Sequence, residues 1–392
     1  MTKYVLVLFA TALIANASAQ EIPLIEEPKY KISNVSFESH DGYAMFGKLV
    51  LPNVAAPRAI VIYVQNAEGT TVDMKRGKSS QDAFSYFDLY RAELTERSIG
   101  FFSYEGRGIR MGDEPPRFET IDWEVFNTST LDNKVKDILS AIKTVRRQPG
   151  CETIPLVLMG SSEGTLLAAE AASRDPDSVA GLVLYSVLAS NLRETFKYIV
   201  IHGAFMQHRE LFDTNDDERI SLAEFEADPK KVRDGLFKGI QFSVFDRNSD
   251  GFYTAEELGT QTKHLVDAVD NNNFEVLQAW AKVGAAVAVP ENWFKDHFSH
   301  NSTWTFLSEL NVPVGFFHGE CDANTPISAV KAIEESSKSA GKTNMEFHYF
   351  KDVGHSLGVE KYFRNATLPE GHQAIIAFVD RIIGNQEKAH SP

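Results

Sequence analysis

Six short apolar runs, separated by segments with helical periodicity, constrain the fold of this chain more than any other feature. Their residues do not alternate between apolar and polar, so each run is typical of a strand buried on both faces of a sheet. Buried strands that alternate with helices predict an α/β fold with a mostly parallel central sheet flanked by helices. The runs occupy residues 59–64, 100–104, 155–159, 179–185, 312–317 and 345–350.

The remaining core segments fit the same plan. Residues 30–39 and 43–51 alternate sufficiently to predict a β-hairpin at the start of the sheet. Apolar residues recur at the spacing of one helical face over residues 131–145, and a segment rich in Ala and Leu follows residue 162. A last helix is predicted over residues 374–383.

One long interval contains no run of the buried-strand type. From residue 189 to about residue 311 the chain is acidic, punctuated by Asn and Asp, and helical in its patterning. It therefore predicts a helical module inserted between two consecutive strands of the core. The predicted organisation is a core of residues 20–190 and 306–392, interrupted by a helical insertion of residues 191–305.

The N-terminal segment has the pattern of a cleavable secretory signal peptide. Lys3 precedes an apolar run over residues 4–15, and Ala17 and Ala19 stand at the −3 and −1 positions of a cleavage site. We expect residues 1–19 to be removed and the protein to be secreted or periplasmic, with an uncleaved anchor as the alternative. Because no later apolar run approaches membrane-spanning length, we expect no membrane span after cleavage.

The chain carries a formal charge of −15, from 39 basic and 54 acidic residues. Nucleic-acid binding requires a basic face for phosphate contacts, and the sequence has no run rich in Lys and Arg. Nucleic acid is therefore not an expected partner. Part of the acidity is concentrated, because nine carboxylates lie in two 12-residue segments, 213–224 and 246–257.

The apolar run at 155–159 leads directly into Gly160-Ser-Ser-Glu-Gly164 and then into a helical pattern. This is Gly-x-Ser-x-Gly between a strand and a helix, the context in which the motif presents a serine nucleophile on a sharp turn. Ser162 is the candidate nucleophile, and the backbone N–H of Glu163 is a candidate oxyanion donor at the helix N-terminus. The motif alone also fits an ordinary strand-to-helix turn, so its interpretation depends on partners elsewhere in the chain.

Two later strands end in polar turns that supply those partners in the order serine, acid, histidine. The run at 312–317 is followed by Glu320 and Asp322, of which Asp322 is the preferred acid and Glu320 the alternative. His355 follows the last strand, where it can take the serine proton and return it to the leaving group. Together these positions predict a triad of Ser162, Asp322 and His355.

These motifs resemble those of the bacterial α/β-hydrolase superfamily, in its serine aminopeptidase and acyl-esterase branches. The resemblance covers about residues 40–190 and 305–385 and implies an α/β-hydrolase fold. The segments that carry it are residues 97–108, 160–164, 318–322 and 354–355.

The sequence departs from the family pattern after the third strand, where a His-Gly pair is common and Gln65-Asn66-Ala67 stands here. The resemblance places the second oxyanion donor at the backbone N–H of Ala67. Gln65 has two interpretations: its side-chain amide supports the oxyanion, or it caps the loop. In addition, Ser161 replaces a histidine that often precedes the nucleophile in the family.

The acidic segment of residues 246–257 matches the EF-hand calcium loop at each informative position. Such a loop supplies side-chain oxygens at positions 1, 3, 5, 9 and 12 and a carbonyl at position 7, and glycine at position 6 permits the sharp turn. The segment resembles a calmodulin-type hand, and apolar residues between 237 and 245 predict its entering helix. The predicted ligands are Asp246, Asn248, Asp250, Phe252 through its carbonyl, Thr254 and Glu257.

Residues 213–224 repeat the pattern 33 residues earlier. Glu218 occupies the position where glycine is expected, and a non-glycine residue with positive φ costs about 1 kcal/mol, so weaker binding is expected here. Ile220 and Tyr253 occupy the positions that pair across two hands, and a solvated acidic turn is the alternative for each loop. The predicted ligands of this loop are Asp213, Asn215, Asp217, Arg219 through its carbonyl, Ser221 and Glu224.

The sequence therefore predicts an exported serine hydrolase that cleaves small-molecule carboxylic esters or related acyl bonds through an acyl-enzyme. Hydrolases of this fold carry a lid where the helical insertion lies, so we expect calcium, bound as Ca2+, to order that lid and shape the substrate pocket. Two alternatives use the same residues: a serine peptidase, and a calcium-binding interaction protein on an inactive hydrolase scaffold.

Overall fold

The computed structural model describes residues 30–53, 56–284 and 288–389. The predicted signal peptide of residues 1–19 lies outside the described residues. The strands are β1 Tyr30–Glu38, β2 Ala44–Pro52, β3 Ala59–Val64, β4 Lys75–Arg76, β5 Phe84–Ser85, β6 Ile99–Tyr104, β7 Ile109–Met111, β8 Glu119–Ile121, β9 Leu156–Ser162, β10 Gly181–Val187, β11 Ile220–Ser221, β12 Phe252–Tyr253, β13 Val314–Gly319 and β14 Met345–Phe350.

Eight of these strands form the central sheet in the order β1-β2-β6-β3-β9-β10-β13-β14. The pairings of β1 with β2 and of β2 with β6 are antiparallel, and all pairings from β6 to β14 are parallel. The predicted hairpin and all six apolar runs are strands of this sheet, which confirms the mostly parallel α/β architecture. The short strands pair locally, as β4 with β5, β7 with β8 and β11 with β12.

Helices connect successive strands of the parallel part of the sheet, as parallel pairing requires. None of the described helices is long and apolar enough to cross a membrane. The α-helices are α1 Asp88–Thr95, α2 Trp123–Phe126, α3 Leu131–Arg146, α4 Glu163–Arg174, α5 Leu192–Tyr198, α6 Ala204–Phe212, α7 Leu222–Ala227, α8 Ala255–Asp270, α9 Phe274–Gly284, α10 Trp293–Phe298, α11 Thr303–Leu307, α12 Ile327–Ser339, α13 Glu360–Asn365 and α14 Glu370–Ala389.

Two hydrophobic clusters cover the two faces of the sheet. Ile60 and Ile62 of β3 belong to the cluster that contains the apolar residues of α3 and α4. Val61 and Tyr63 belong to the opposite cluster, together with residues of α1 and α14. Successive side chains of a strand point to opposite faces, so a central strand covered on both sides is apolar at every position.

β14 differs from the expected burial. It is the last strand of the sheet, and five of its six residues are only half-buried. An edge strand has a neighbouring strand on one side only, which leaves more of its surface accessible. The expectation that the run at 345–350 is buried on both faces is therefore wrong.

The interval between β10 and β13 contributes no strand to the central sheet among its described residues. It begins with a continuous helical stretch, in which a π-helical segment, Ile199–Gly203, separates α5 from α6. The hydroxyl of Tyr198 donates to the backbone carbonyl of Asp322 at 2.8 Å. The start of the insertion is therefore fastened to the turn that follows β13.

Aromatic side chains hold together the part of the insertion that contains β11 and β12. Phe212 at the end of α6 packs against Phe225 of α7, with ring centroids 5.0 Å apart. Phe237 lies against both Phe212 and Phe245, at 5.1 and 6.0 Å. These rings form a separate small core, distinct from the two clusters on the sheet.

The entering helix predicted ahead of residue 246 is not formed. Residues 228–241 are turns and irregular structure, and Phe242–Val244 is a short 3₁₀ helix. Gly235 and Gly239 interrupt this segment, and Gly239 has a φ of 76° that an α-helix does not contain. The apolar residues that suggested a helix lie in turns instead, and their side chains pack into the small core of the insertion.

The contact between the π-helical segment and the turn after β13 leads to a first prediction. A Cβ at Gly203 would lie 1.8 Å from the backbone carbonyl oxygen of Ala323, so the Gly203→Ala substitution must displace backbone. We expect it to lower the free energy of unfolding by about 1–3 kcal/mol, measured by urea unfolding.

The matched control is Gly259→Ala on α8, where the nearest side-chain atom is 3.5 Å from the added Cβ. There the helical preference of alanine should raise stability by up to about 1 kcal/mol. Equal effects of the two substitutions would contradict the proposed contact.

Candidate active site

Ser162 lies where β9 ends and α4 begins, on a sharply turned backbone. Its φ is 52° and its ψ is −126°, a conformation that residues with a Cβ rarely adopt. A Cβ at Gly160 would lie 2.2 Å from the carbonyl oxygen of Gly164, and a Cβ at Gly164 would lie 2.9 Å from that of Val64. Because both glycines lack a Cβ, the turn can form and present Ser162 at the carboxyl edge of the sheet.

Asp322 and His355 meet at the same edge. Asp322 is 1% exposed, and Nδ1 of His355 lies 2.9 Å from each of its two carboxylate oxygens. The backbone N–H groups of Asn324 and Thr325 donate to Asp322 at 2.8 and 2.9 Å, and the Thr325 hydroxyl donates at 2.7 Å. The carboxylate is therefore fixed in position and can orient the imidazole.

The pKa values of this pair are shifted in opposite directions. Burial would raise the pKa of Asp322, but the charge of His355 and its hydrogen bond lower it to about 2. Burial would lower the pKa of His355, but the charge and hydrogen bond of Asp322 raise it overall. Glu320, the alternative acid, is exposed, and the structure places Asp322 rather than Glu320 against the imidazole.

The loop that carries His355 is attached to the strand beside the nucleophile. The hydroxyl of Ser186 donates to the backbone carbonyl of His355. Ser186 lies at a register shift in β10, and the next residue, Val187, is paired with Ser162. No sequence pattern predicts this contact, because a serine inside an apolar strand does not reveal a bulge.

Gln65 caps its own loop. Its side-chain oxygen accepts hydrogen bonds from the backbone N–H and the hydroxyl of Thr70, at 2.5 and 2.9 Å. Its side-chain N–H₂ donates to the carbonyl of Tyr104. These contacts support the interpretation of Gln65 as a loop cap.

Glu163 is buried, and its side chain contacts both α3 and the insertion. One carboxylate oxygen is 2.6 Å from the Nζ of Lys134. The other accepts hydrogen bonds from Nε1 of Trp293 and Nε2 of His297, each at 2.6 Å. Burial would raise the pKa of Glu163, but the charge of Lys134 and the hydrogen bond from His297 lower it to about 2, so the carboxylate is ionised.

Lys134, Trp293 and His297 were not predicted from the sequence. A buried role for Lys134 could have been predicted, because it lies among the buried apolar positions of α3, beside Leu131 and Val135. A lysine on a core-facing stripe requires a buried partner. The two aromatic residues lie on α10, about 130 residues from Glu163, and carry no comparable sign.

Ser161, just before the nucleophile, forms a hydrogen bond to the neighbouring strand. Its hydroxyl is 2.9 Å from the hydroxyl of Tyr63, a buried residue of β3. This hydrogen bond ties β9 to β3 just before the nucleophile.

The two acidic loops of the insertion have matching backbone conformations. Both have positive φ at loop position 4, where Asp216 and Ser249 lie, and at position 6, where Glu218 and Gly251 lie. Glu218, with a φ of 66°, thus adopts the conformation for which glycine is preferred. The first loop follows the same path as the second in spite of its non-glycine residue.

The strands β11 and β12 join the two loops. Ile220 is opposite Tyr253 in this antiparallel pair, as the loop positions predicted. Glu224 accepts hydrogen bonds from the backbone N–H groups of Thr214 and Ser221, each at 2.9 Å, and Glu257 makes the equivalent bonds at 2.7 and 3.0 Å. Both carboxylates complete capping boxes, on α7 and α8.

The ionisation of the first loop also suits a cation. Burial would raise the pKa of Glu224, but hydrogen bonds from Ser221 and Thr214 lower it to about 2. Asp213 is paired with Arg209 of α6 at 2.9 Å, a partner that was not predicted. A second arginine, Arg219, pairs with Asp217 at 3.2 Å, so the present partners of the loop carboxylates are backbone amides, hydroxyls and arginines.

The predicted ligands at loop positions 1, 3 and 5 accept backbone N–H groups of their own loop. In the described ranges of the chain, no group of three or more His, Cys, Asp or Glu side chains is arranged to hold a metal ion. The oxygen-only donor set of each loop nevertheless suits the hard cation calcium in its chemistry. The acceptors are Asp213, Asn215 and Asp217 in the first loop and Asp246, Asn248 and Asp250 in the second.

Comparisons with known proteins bear on the fold. No family model matches the chain, and no curated protein matches its sequence. Among solved structures, DcsB in complex with its substrate analogue matches with a TM-score of 0.51 and 14% identity, over 91% of this chain and 99% of DcsB. A lipase in its open form matches with a TM-score of 0.50 and 16% identity, over 90% and 99% of the two chains.

The Pyrococcus furiosus esterase Pf2001 matches with a TM-score of 0.50 and 11% identity, over 94% of this chain and 97% of the esterase. The similarity thus spans nearly the whole of each chain. The chain has an α/β-hydrolase fold. At such low identity the similarity concerns the α/β-hydrolase fold alone, so the activity must be argued from the residues at the edge of its sheet.

The Asp322–His355 contact leads to a second prediction. Asp322→Asn removes the charge that favours the imidazolium, so the pKa of His355 should fall below its wild-type value. The measurement is a pH titration of the His355 ring protons by NMR. In a hydrolysis that needs neutral His355, the acidic limb of the rate profile should move to lower pH by the same amount.

Glu320→Gln is the matched control, because it removes an adjacent but exposed carboxylate. It should leave the titration of His355 unchanged. An effect of Glu320→Gln that equals that of Asp322→Asn would rule out a specific contact.

Proposed function

We propose that this protein is a serine hydrolase that cleaves carboxylic esters or related acyl bonds. The observation that carries the proposal is the buried Asp322, whose two oxygens lie 2.9 Å from Nδ1 of His355 at the sheet edge where the turn presents Ser162. A carboxylate, an imidazole and a serine on a strained turn, in this chain order, are the components of a nucleophilic triad.

In the proposed mechanism, Oγ of Ser162 attacks the acyl carbon while Nε2 of His355 takes the hydroxyl proton. The resulting imidazolium is stabilised by Asp322 and returns the proton to the leaving alcohol. The backbone N–H groups of Glu163 and Ala67 hold the oxyanion. Water, deprotonated by His355, then hydrolyses the acyl-enzyme and restores Ser162.

The structure favours this proposal over an inactive scaffold. An aspartate that is 1% exposed is costly to bury, and Asp322 accepts hydrogen bonds from four donors, one of which is the imidazole of His355. A positive φ at Ser162 is likewise a strained feature of the kind that persists at functional sites. A peptidase would use the same groups and is separated from an esterase by the substrate test below.

The third prediction tests the nucleophile. The mature protein should hydrolyse short p-nitrophenyl esters and become labelled by a fluorophosphonate probe. Ser162→Ala should abolish labelling and lower kcat by more than about 10⁴-fold, because the attacking oxygen is lost. The adjacent Ser161→Ala, which removes only the hydroxyl bonded to Tyr63, should still be labelled.

The hydrolase proposal would be contradicted, and the inactive scaffold favoured, if the wild-type protein were not labelled and hydrolysed no esters, amides or peptides. Faster turnover of peptides than of esters of the same acyl group would identify a peptidase instead.

We also propose that the two acidic loops bind calcium and that the helical insertion of residues 191–305 acts as the lid. Support comes from the shared backbone conformation of the loops and from the pairing of Ile220 with Tyr253. Residues 213–224 and 246–257 would hold the ions, which would replace backbone N–H groups as partners of the carboxylates. Export of the protein, proposed from residues 1–19, would expose such sites to high ambient calcium.

A path from the first loop to the catalytic acid supports an effect of calcium on the active site. Asp213, the first predicted ligand, immediately follows α6, which continues through the π-helical segment into α5. On that stretch Tyr198 donates to the carbonyl of Asp322. Ordering of the loop would therefore restrain the turn that holds the acid.

The fourth prediction concerns Glu218. Glu218→Gly removes the strain of a positive φ, so calcium should bind the first loop about fivefold more tightly, as a gain of about 1 kcal/mol implies. The measurement is calcium titration by calorimetry. Glu218→Ala is the matched control, since it removes the same charge but keeps the strained backbone, and it should not tighten binding.

Coupling to the active site is tested with the wild-type protein. Rates of p-nitrophenyl ester hydrolysis and melting temperatures should both rise when calcium replaces a chelator. Equal rates and equal melting temperatures in the two conditions would contradict the calcium proposal for the lid.

A further inference from the structure

Lys134 contacts both segments from which the candidate oxyanion donors come. Its Nζ donates to the side chain of Glu163 at 2.6 Å and to the backbone carbonyls of Asn66 and Ala67 at 3.2 and 3.3 Å. The lysine side chain is 7% exposed and that of Glu163 is 2% exposed. All three protons of the ammonium group thus have acceptors, and two of the three acceptors lie in the loop after β3.

The planar geometry of the peptide bond relates these contacts to the orientation of the Ala67 N–H. The carbonyl of Asn66 and the N–H of Ala67 belong to the same planar peptide unit and point in opposite directions. An ammonium group on the Asn66 carbonyl therefore turns the Ala67 N–H away from Lys134. Hydrogen bonding to the carbonyl also polarises the peptide, which strengthens its N–H as a donor.

The second candidate donor is restrained by the same lysine. The N–H of Glu163 belongs to the first residue of α4, and the side chain of that residue is held at one oxygen by Lys134 and at the other by Trp293 and His297. Rotation of the start of α4 would break a buried, charge-assisted contact on one side or the other. A single ammonium group thus links the segments that carry the two donors.

Stability alone does not account for a buried ion pair at this position. Two charges removed from water are often replaced by apolar residues without loss of stability, because their attraction only offsets their desolvation. An oxyanion hole, by contrast, needs its donors within about 0.5 Å of the productive position. A rigid charged contact between the two donor segments meets that need.

We propose that Lys134 is a positioning residue that, through Glu163 and the carbonyl of Asn66, sets the spacing and direction of the two oxyanion donors. The proposal rests on the serine hydrolase function proposed above. It adds a specific role for a pair of side chains that touch neither the substrate nor the reacting atoms.

The fifth prediction uses the double variant Lys134→Met with Glu163→Gln. It removes both charges together, so no uncompensated charge remains buried, and the amide oxygen of Gln can still accept a hydrogen bond from the insertion. We expect kcat for a p-nitrophenyl ester to fall about 10- to 100-fold, somewhat less than for complete loss of an oxyanion donor. KM should change less than about twofold, because ground-state binding does not use the oxyanion hole.

A transition-state analogue distinguishes positioning from a merely structural role. A trifluoromethyl ketone adds to Ser162 and places an oxyanion in the hole, so its inhibition constant should rise by the same factor by which kcat/KM falls. The corresponding alcohol forms no oxyanion and should bind equally well to both proteins. Lys134→Arg, which keeps the charge next to Glu163, should recover part of the lost rate.

The control variant is Lys136→Met, on the same helix, which removes an exposed pair with Asp132 and should leave all constants unchanged. The inference is overturned if the double variant keeps wild-type kcat, or if binding of the alcohol and the melting temperature fall in parallel with kcat. It fails separately from the hydrolase proposal, which is decided by labelling and turnover of the wild-type protein alone.

Discussion

At the turn between β9 and α4 three backbones approach one another closely, and this contact determines how the candidate site is assembled. Gly160 and Gly164 leave no space for a Cβ against each other and against the end of β3, and Ser162 between them adopts a positive φ. This contact lets α4 start directly at the sheet edge, so that the side chain of Glu163 points into the protein. The acid turn, the histidine loop and the loop after β3 are then placed by their contacts with the same edge.

The central sheet could be predicted from the sequence because burial on both faces leaves a local signal. Ile60 to Val64 supply apolar side chains to two different cores, and no other structure explains such a run so simply. The exposure of β14 could not be predicted, because the order of strands decides which one ends the sheet. The helix predicted ahead of residue 246 was wrong for a related reason. Phe237 is buried against rings that are distant in sequence, and burial alone does not require a helix.

The parts of the candidate site that depend on short sequence motifs could be predicted. The turn around Ser162 and the positions of Asp322 and His355 follow from strand ends and chain order, and the structure brings the last two into contact. The partners of Glu163 come from α3 and α10, and only the folded chain reveals them. Gln65 was ambiguous because one amide can serve either a ligand or its own loop, and the choice depends on Thr70 and Tyr104.

Both ends of the insertion are bonded to segments of the candidate site. Near its start Tyr198 is bonded to the turn of the acid, and near its end Trp293 is bonded to the residue that follows the nucleophile. A segment held at both ends can bend between these contacts, but a rigid-body hinge motion about one end would break the contact at the other. Transfer of this module to another hydrolase would therefore require acceptors for Tyr198 and Trp293 on the recipient.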